Sequence, residues 1–150
     1  MRRAVRLARR GMEAGDGGPF GAVVVRAGKV VGEGWNRVLA DNDPTAHGEV
    51  VAIRDACARA ASFSLEGCDL YTTGEPCPMC LGAIHWARLA RVFHGFRVAD
   101  AAKAGFDDRA ICREMAKTPG RRKIPSEELL RAEALRLLEE YAAIPDRVRY

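Results

Sequence analysis

His47, Glu49, Cys77 and Cys80 are the residues whose types and spacing could carry chemistry. They occur as His47-Gly48-Glu49 and, thirty positions after the histidine, Pro76-Cys77-Pro78-Met79-Cys80. One imidazole and two thiolates supply three of the four ligands of a tetrahedral zinc, and a catalytic zinc keeps the fourth position for water, whose pKa it lowers to about 7. A carboxylate two residues beyond the histidine can lie beside that water without binding the metal and carry its protons. The four residues therefore point to metal-assisted hydrolysis, with His47, Cys77 and Cys80 as ligands and Glu49 as proton carrier. Each half alone says less. A lone CxxC also serves redox pairs and structural zinc, and a lone histidine at a helix start is ordinarily a capped or solvated side chain. A structural zinc would need a fourth protein ligand from Cys57, Cys68, His85, His94 or Cys112, and none of these forms a second close-spaced pair. Packing is the default account of Cys57, Cys68 and Cys112.

For the two halves to meet, both must stand at helix starts around one sheet. The pattern supplies such elements. Met1, Ala4, Val5, Ala8 and Met12 recur at helical spacing with arginines between them, and Gly15-Asp16-Gly17-Gly18-Pro19 stops that helix. Residues 20–26 and 29–35 are β-branched and apolar around Ala27-Gly28, which makes a hairpin. After a polar stretch at 36–44, residues 46–61 place Val50, Ile53, Ala56, Cys57 and Ala60 on one stripe of a buried helix whose first turn holds His47 and Glu49. A strand is expected at 69–73, a helix at 76–87 beginning with two prolines and two cysteines, and a strand at 91–95. Helices between the last strands make those strands parallel. Short helices are expected over 98–117 around the loop-like Gly105-Phe106-Asp107-Asp108, and a basic turn at 118–123. The spacing of Leu130, Ala134, Leu137, Leu138 and Tyr141 favours a helix over 126–143, with an edge strand at 124–130 as the alternative.

Composition and charge narrow the function classes. With 48% hydrophobic and 29% charged residues over 150 positions, the chain has the make-up of one globular domain and not of a disordered or fibrous protein. Its formal charge of +4 comes from the first ten residues, which hold five arginines and no acid; the other 140 carry 19 cations against 20 anions. A basic terminal patch is a solvated helix face more simply than a nucleic-acid surface, so nucleic acid is an unlikely partner. No apolar run reaches membrane-spanning length, and five arginines occupy the place of a signal peptide's apolar stretch. The expectation is a cytoplasmic protein without a membrane partner.

The two segments together match H-x-E…P-C-x-x-C, the signature of zinc-dependent nucleobase deaminases. Gly18-Pro19-Phe20-Gly21-Ala22, Asn42-Asp43-Pro44-Thr45-Ala46-His47, the EPCPMCLGAIHW run of residues 75–86 and Ala104-Gly105-Phe106-Asp107-Asp108 resemble the cytidine deaminase superfamily and, within it, the bacterial guanine deaminases. The resemblance spans about residues 3–115 and implies an α/β fold, a three-layer α-β-α arrangement around a central mixed five-stranded sheet. It implies hydrolysis of guanine to xanthine and ammonia, with guanosine, cytosine, another aminated ring or transfer RNA adenosine as alternatives. Residue by residue, it implies that Asn36 hydrogen-bonds the purine, that Phe20 and His47 flank its ring and that the Gly48 N–H faces substrate. Trp86 would line the pocket, and Asp108 would bind the guanine edge or relay protons. The acid at 108 suits the N1–H and amino donors of guanine. The resemblance further implies one domain over residues 1–150, working as a homodimer that exchanges a C-terminal segment of about residues 118–150, so that Tyr150 closes the partner's pocket. Gly48 stands where the family usually has alanine, and Gly74 where it usually has a small polar or thiol residue.

Overall fold

A computed structural model describes residues 1–149 of the chain. They form two compact units, one of residues Met1–Arg109 and one beginning at Ala110.

In the first unit, α1 (Arg2–Glu13) precedes a hairpin of β1 (Gly21–Arg26) and β2 (Lys29–Trp35). Ala27 and Gly28 both have positive φ, the two-residue turn whose twist matches that of paired strands. Then come α2 (Gly48–Ala60), β3 (Asp69–Gly74), α3 (Pro78–Trp86), β4 (Arg91–Phe96) and α4 (Val98–Lys103). The sheet order is β2-β1-β3-β4; β1 runs antiparallel to both β2 and β3, and β3 runs parallel to β4. The mixed sheet and the parallel last pair follow the expectation. The number of strands does not: four are present among the described residues, not five. Residues 124–130, the candidate edge strand, are exposed and neither strand nor helix. Pro125 lacks a ladder donor and Leu130 has φ of 51°, which stops the last helix from extending back to 126.

The two sheet faces bury different partners. Ala22, Val24 and Leu70 join Ala52, Ile53 and Ala56 of α2 and Ile84 of α3, with Leu65, Cys68 and Ala87 completing the core. Gly21 alternates with these and faces α1 instead: a Cβ there would press on Ala4 and Ala8. The sheet is thus the middle of three layers. The buried stripe of α2 is rotated from the expected one: Ala52 joins Ile53 and Ala56 inside, while Ala60 is exposed. Gly32 and Gly34 explain the close fit of α2 on β2, since a Cβ on either would stand 2.5 Å from an atom of α2 or its first residue. That fit fixes where α2 begins.

The second unit contains most of α5 (Arg109–Met115), a single 3₁₀ turn at Pro119–Arg121, and α6 (Arg131–Ala143). No described residue from 110 onward is buried. Cys112 is exposed, so packing does not account for it.

Candidate active site

Gly21, Trp35, Gly74 and Phe96 share one end of the sheet, as the strand registers require. Helices α2 and α3 both begin beyond that end. His47 is the residue before the first turn of α2, with extended backbone (φ −70°, ψ 152°), and Cys77 takes the same place before α3 (φ −67°, ψ 167°). The sequence expectation put these residues inside the first turns. The helices instead start one or more residues later, at Gly48 and at Pro78, whose ring suits a first helical position. The consequence is chemical: the side chains of His47 and Cys77 stand at helix N-termini, where free N–H groups and the helix dipole favour negative charge.

His47 Nδ1 lies 3.5 Å from Cys77 Sγ and 3.5 Å from Cys80 Sγ. All three ligand atoms fall within 4.8 Å of one another. The Cys80 thiol, the His47 ring and the Cys80 backbone N–H bring the Cys77 thiol down to about 4 against the resistance of partial burial. Cys80 is pushed up, by its hydrogen bond to Cys77 first and by burial second. His47 is raised, chiefly by its hydrogen bond to Cys77. The three groups stand at contact distance, and a divalent cation on them would favour both sulfurs as thiolates and displace any proton they keep. Two sulfurs and one imidazole nitrogen are a donor set that suits zinc.

Glu49 follows in the first turn of α2 and is only 4% exposed. Burial raises its pKa above the ordinary carboxylate range. The Thr72 hydroxyl donates to Oε1 at 3.2 Å, and Oε2 lies 3.5 Å from Cys80 Sγ. The carboxylate therefore touches the ligand group from the side. Thr72 was not singled out in the sequence; its inward place in the alternation of β3 is the signal that could have found it.

The remaining site residues divide. Asn36 is 6% exposed, and its Oδ1 accepts the Val38 N–H at 3.2 Å, which leaves the amide NH₂ as the donor on offer. Its own N–H donates to the Phe20 carbonyl at 2.8 Å. Phe20 meets Phe96 and Phe106 edge to face. Gly48 opens α2, where an N–H has no partner within the helix. Asp108 has a buried Oδ1 without a hydrogen-bond partner among the described residues. Trp86 ends α3, six positions past Cys80, and is 70% exposed. Tyr150 lies outside the described residues.

The geometry agrees with a comparison against known families. Residues 1–96 match the model of the cytidine and deoxycytidylate deaminase zinc-binding region. The chain belongs to that deaminase family. It is 47% identical over 150 residues to the guanine deaminase of Bacillus subtilis (strain 168), covering all of this chain and 96% of that one. The X-ray structure of a Bacillus subtilis guanine deaminase superposes with a TM-score of 0.95 at 48% identity, over 99% of this chain and 95% of that chain. A tRNA-specific adenosine deaminase of Aquifex aeolicus (strain VF5) is 44% identical, but over 89 residues only, 59% of this chain and 58% of its own. As a member of this zinc-binding family, the chain uses zinc as its metal, and the His47, Cys77 and Cys80 group fits it.

The family also sharpens one departure. Gly74 had no physical reason in the sequence. In the structure a Cβ at 74 would stand 2.6 Å from Phe96 Cε2, so the ring occupies the space a side chain would need.

Proposed function

We infer that this deaminase converts guanine and water to xanthine and ammonia. The carrying observation is the full-length likeness to a guanine deaminase, which runs on through the last third of the chain, whereas the adenosine deaminase match stops at 59% of it.

His47, Cys77 and Cys80 would hold the zinc, which when bound supplies Lewis acidity that lowers the pKa of a water to about 7. Glu49, raised by burial, accepts a proton from the attacking water and gives it to the ring nitrogen beside the amino-bearing carbon. The water oxygen bonds to that carbon. The proton of the added hydroxyl crosses the same carboxyl to the amine, the carbon–nitrogen bond breaks as the carbonyl forms, and ammonia leaves. Thr72 holds Glu49 in reach of both positions. The Asn36 amide NH₂ and the Gly48 N–H donate to ring acceptors, and Phe20 and His47 flank the ring. Asp108, whose Oδ1 lacks a partner among the described residues, accepts from the N1–H and amino donors of guanine. Trp86 lines the pocket only in an assembly that covers it.

We further propose one deaminase domain per chain, working as a homodimer that exchanges residues of about 118–150, with Tyr150 closing the partner's pocket. The exposure of Leu130, Leu137, Leu138 and Tyr141 supports a covered state for this segment. Five free cysteines suit a reducing cytoplasm.

Purified zinc-loaded protein given guanine is expected to release ammonia in step with xanthine. A panel of guanosine, cytosine and adenine should be turned over more slowly, and no ammonia from guanine would overturn the assignment.

A further inference from the structure

Phe20 is held from several directions, and one of them depends on a missing side chain. Gly74, the last residue of β3, pairs with Phe96 across the parallel ladder. A Cβ on it would lie 2.6 and 3.0 Å from Phe96 Cε2 and Cζ, and 3.2 Å from Phe20 Cδ1. The Phe96 ring therefore lies over the bare glycine and meets Phe20 edge to face, with centroids 5.6 Å apart and planes at 65°. Phe106 closes on Phe20 from the loop before α5, at 4.9 Å and 87°. The Phe20 carbonyl accepts the Asn36 N–H at 2.8 Å and would lie 3.0 Å from a Cβ on Gly48. The backbone of Phe20 is thus fixed against α2, and its ring is bounded by Phe96, Phe106 and the backbone at Gly18.

We propose that Gly74 and Phe96 are specificity-determining positions: the bare glycine lets Phe96 sit deep, and Phe96 sets the Phe20 ring and with it the width of the slot that takes the substrate ring. The proposal rests on the reading of Phe20 as a residue flanking the purine. Phe96 and Gly74 are not members of the ligand group and act here through Phe20, as positioning residues. Contact between flat rings is a dispersion effect, and a gap of about 0.5–1 Å forfeits a quarter to a half of it. A side chain at 74 must move Phe96 by several tenths of an ångström, because 2.6 Å is closer than carbon atoms pack.

Flanking contacts hold the ground state and the transition state alike, so their loss raises KM and leaves kcat nearly unchanged. Gly74→Ser is expected to raise KM for guanine about tenfold, one unit of 1.4 kcal/mol, with kcat within about twofold. The preference for guanine over the smaller cytosine should fall by a similar factor. Phe96→Leu, which removes the bracing ring without adding atoms, should raise KM in the same way, and the double variant should lose little more than either single one, because both act through the Phe20 ring. A merely structural role would lower melting temperature and active fraction without this split. Zinc content, measured on every variant, should stay at the wild-type level.

An unchanged KM in Gly74→Ser, or a double variant whose loss is the full sum of the two single ones, overturns the proposal. If Gly74→Ser does not fold, Phe96→Leu alone decides, because it loosens Phe20 without adding atoms; wild-type KM there overturns the proposal as well. The underlying reading fails separately: wild-type protein inert toward guanine defeats the assignment, and an unchanged KM in Phe20→Leu defeats the flanking role. Failure of the Gly74 and Phe96 variants beside a normal wild type and a weakened Phe20→Leu defeats this inference alone.

Discussion

The unit of residues Met1–Arg109 and the unit that begins at Ala110 are built on opposite principles. The first holds every buried residue of the described chain, and its core of Ala22, Val24, Ala52, Ala56, Leu70 and Ile84 is made where helices cover a sheet. The second has helices but no interior: α6 is thirteen residues long, and Leu137 and Leu138 on it are 66% and 65% exposed. A helix of that length is marginal in water without an apolar face to bury. The difference teaches that the ligand group and the buried core lie together in the first unit, while the second leaves its apolar side chains exposed. This division is also visible in descent, since the family model ends at residue 96 while the likeness to the Bacillus subtilis enzyme runs the full length.

The sharpest way to test the first half of that comparison is Glu49→Gln, an isosteric change that removes the proposed proton carrier and keeps the packing. Activity on guanine should fall about 10²–10⁴-fold, the usual worth of a positioned acid–base group. Zinc content should be unchanged, because the three ligand atoms do not include the carboxylate. Zinc lost along with activity would mean that Glu49 acts on the metal site and not on substrate protons.

Smaller in effect, and aimed at the second half, is a chain ending at residue 117. Its core is complete, since every core residue lies at or before Ala87. It should fold, keep its zinc and elute as a monomer where the full-length protein elutes as a dimer. Its kcat/KM for guanine should fall about tenfold, the size of one lost contact of 1.4 kcal/mol. A truncated protein that still elutes as a dimer would show that the segment does not hold two chains together. Loss of zinc would show that the two units depend on each other for stability.

How much of this was legible in the sequence follows the same boundary. The hairpin, the two ligand-bearing helices and the parallel β3 and β4 were readable because apolar periodicity, Ala27-Gly28 and the prolines at 76 and 78 act locally. His47, Glu49, Cys77 and Cys80 were readable because their chemistry needs those types at that spacing. The helix starts were displaced because Thr45 and Ala46 look helical until the His47 N–H donates to the Thr45 carbonyl at 2.7 Å. The rotated stripe of α2 could not be seen because Gly32 and Gly34 of β2 decide which face of the helix approaches, and that is a tertiary effect. Gly74 is the clearest case: its reason is a ring twenty-two residues away. From residue 118 on, periodicity promised a helix and gave its type but not its start, since no core is present to overrule the left-handed Leu130.

The smallest expected effects separate the cysteines by where they lie. Cys68 has no exposed surface and Arg26 Nε donates toward its sulfur at 3.2 Å, whereas Cys112 is exposed. Replacing a buried thiol by a hydroxyl costs about 1–3 kcal/mol when the new group finds no good partner, while surface changes stay within about 0.5 kcal/mol. Cys68→Ser should therefore lower the urea midpoint clearly and Cys112→Ser hardly at all. Alkylation of the native protein reads the same contrast without mutation: iodoacetamide should modify Cys112 first, Cys57 slowly and Cys68 only on unfolding. Zinc should protect Cys77 and Cys80, since a thiolate committed to a metal is a poorer nucleophile than the free thiolate that their hydrogen bonding otherwise favours at Cys77. Rapid labelling of Cys77 in zinc-loaded protein would detach the metal from the residues assigned to it. Slow labelling of Cys112 would place a cover over the second unit that reaches further back than residue 118.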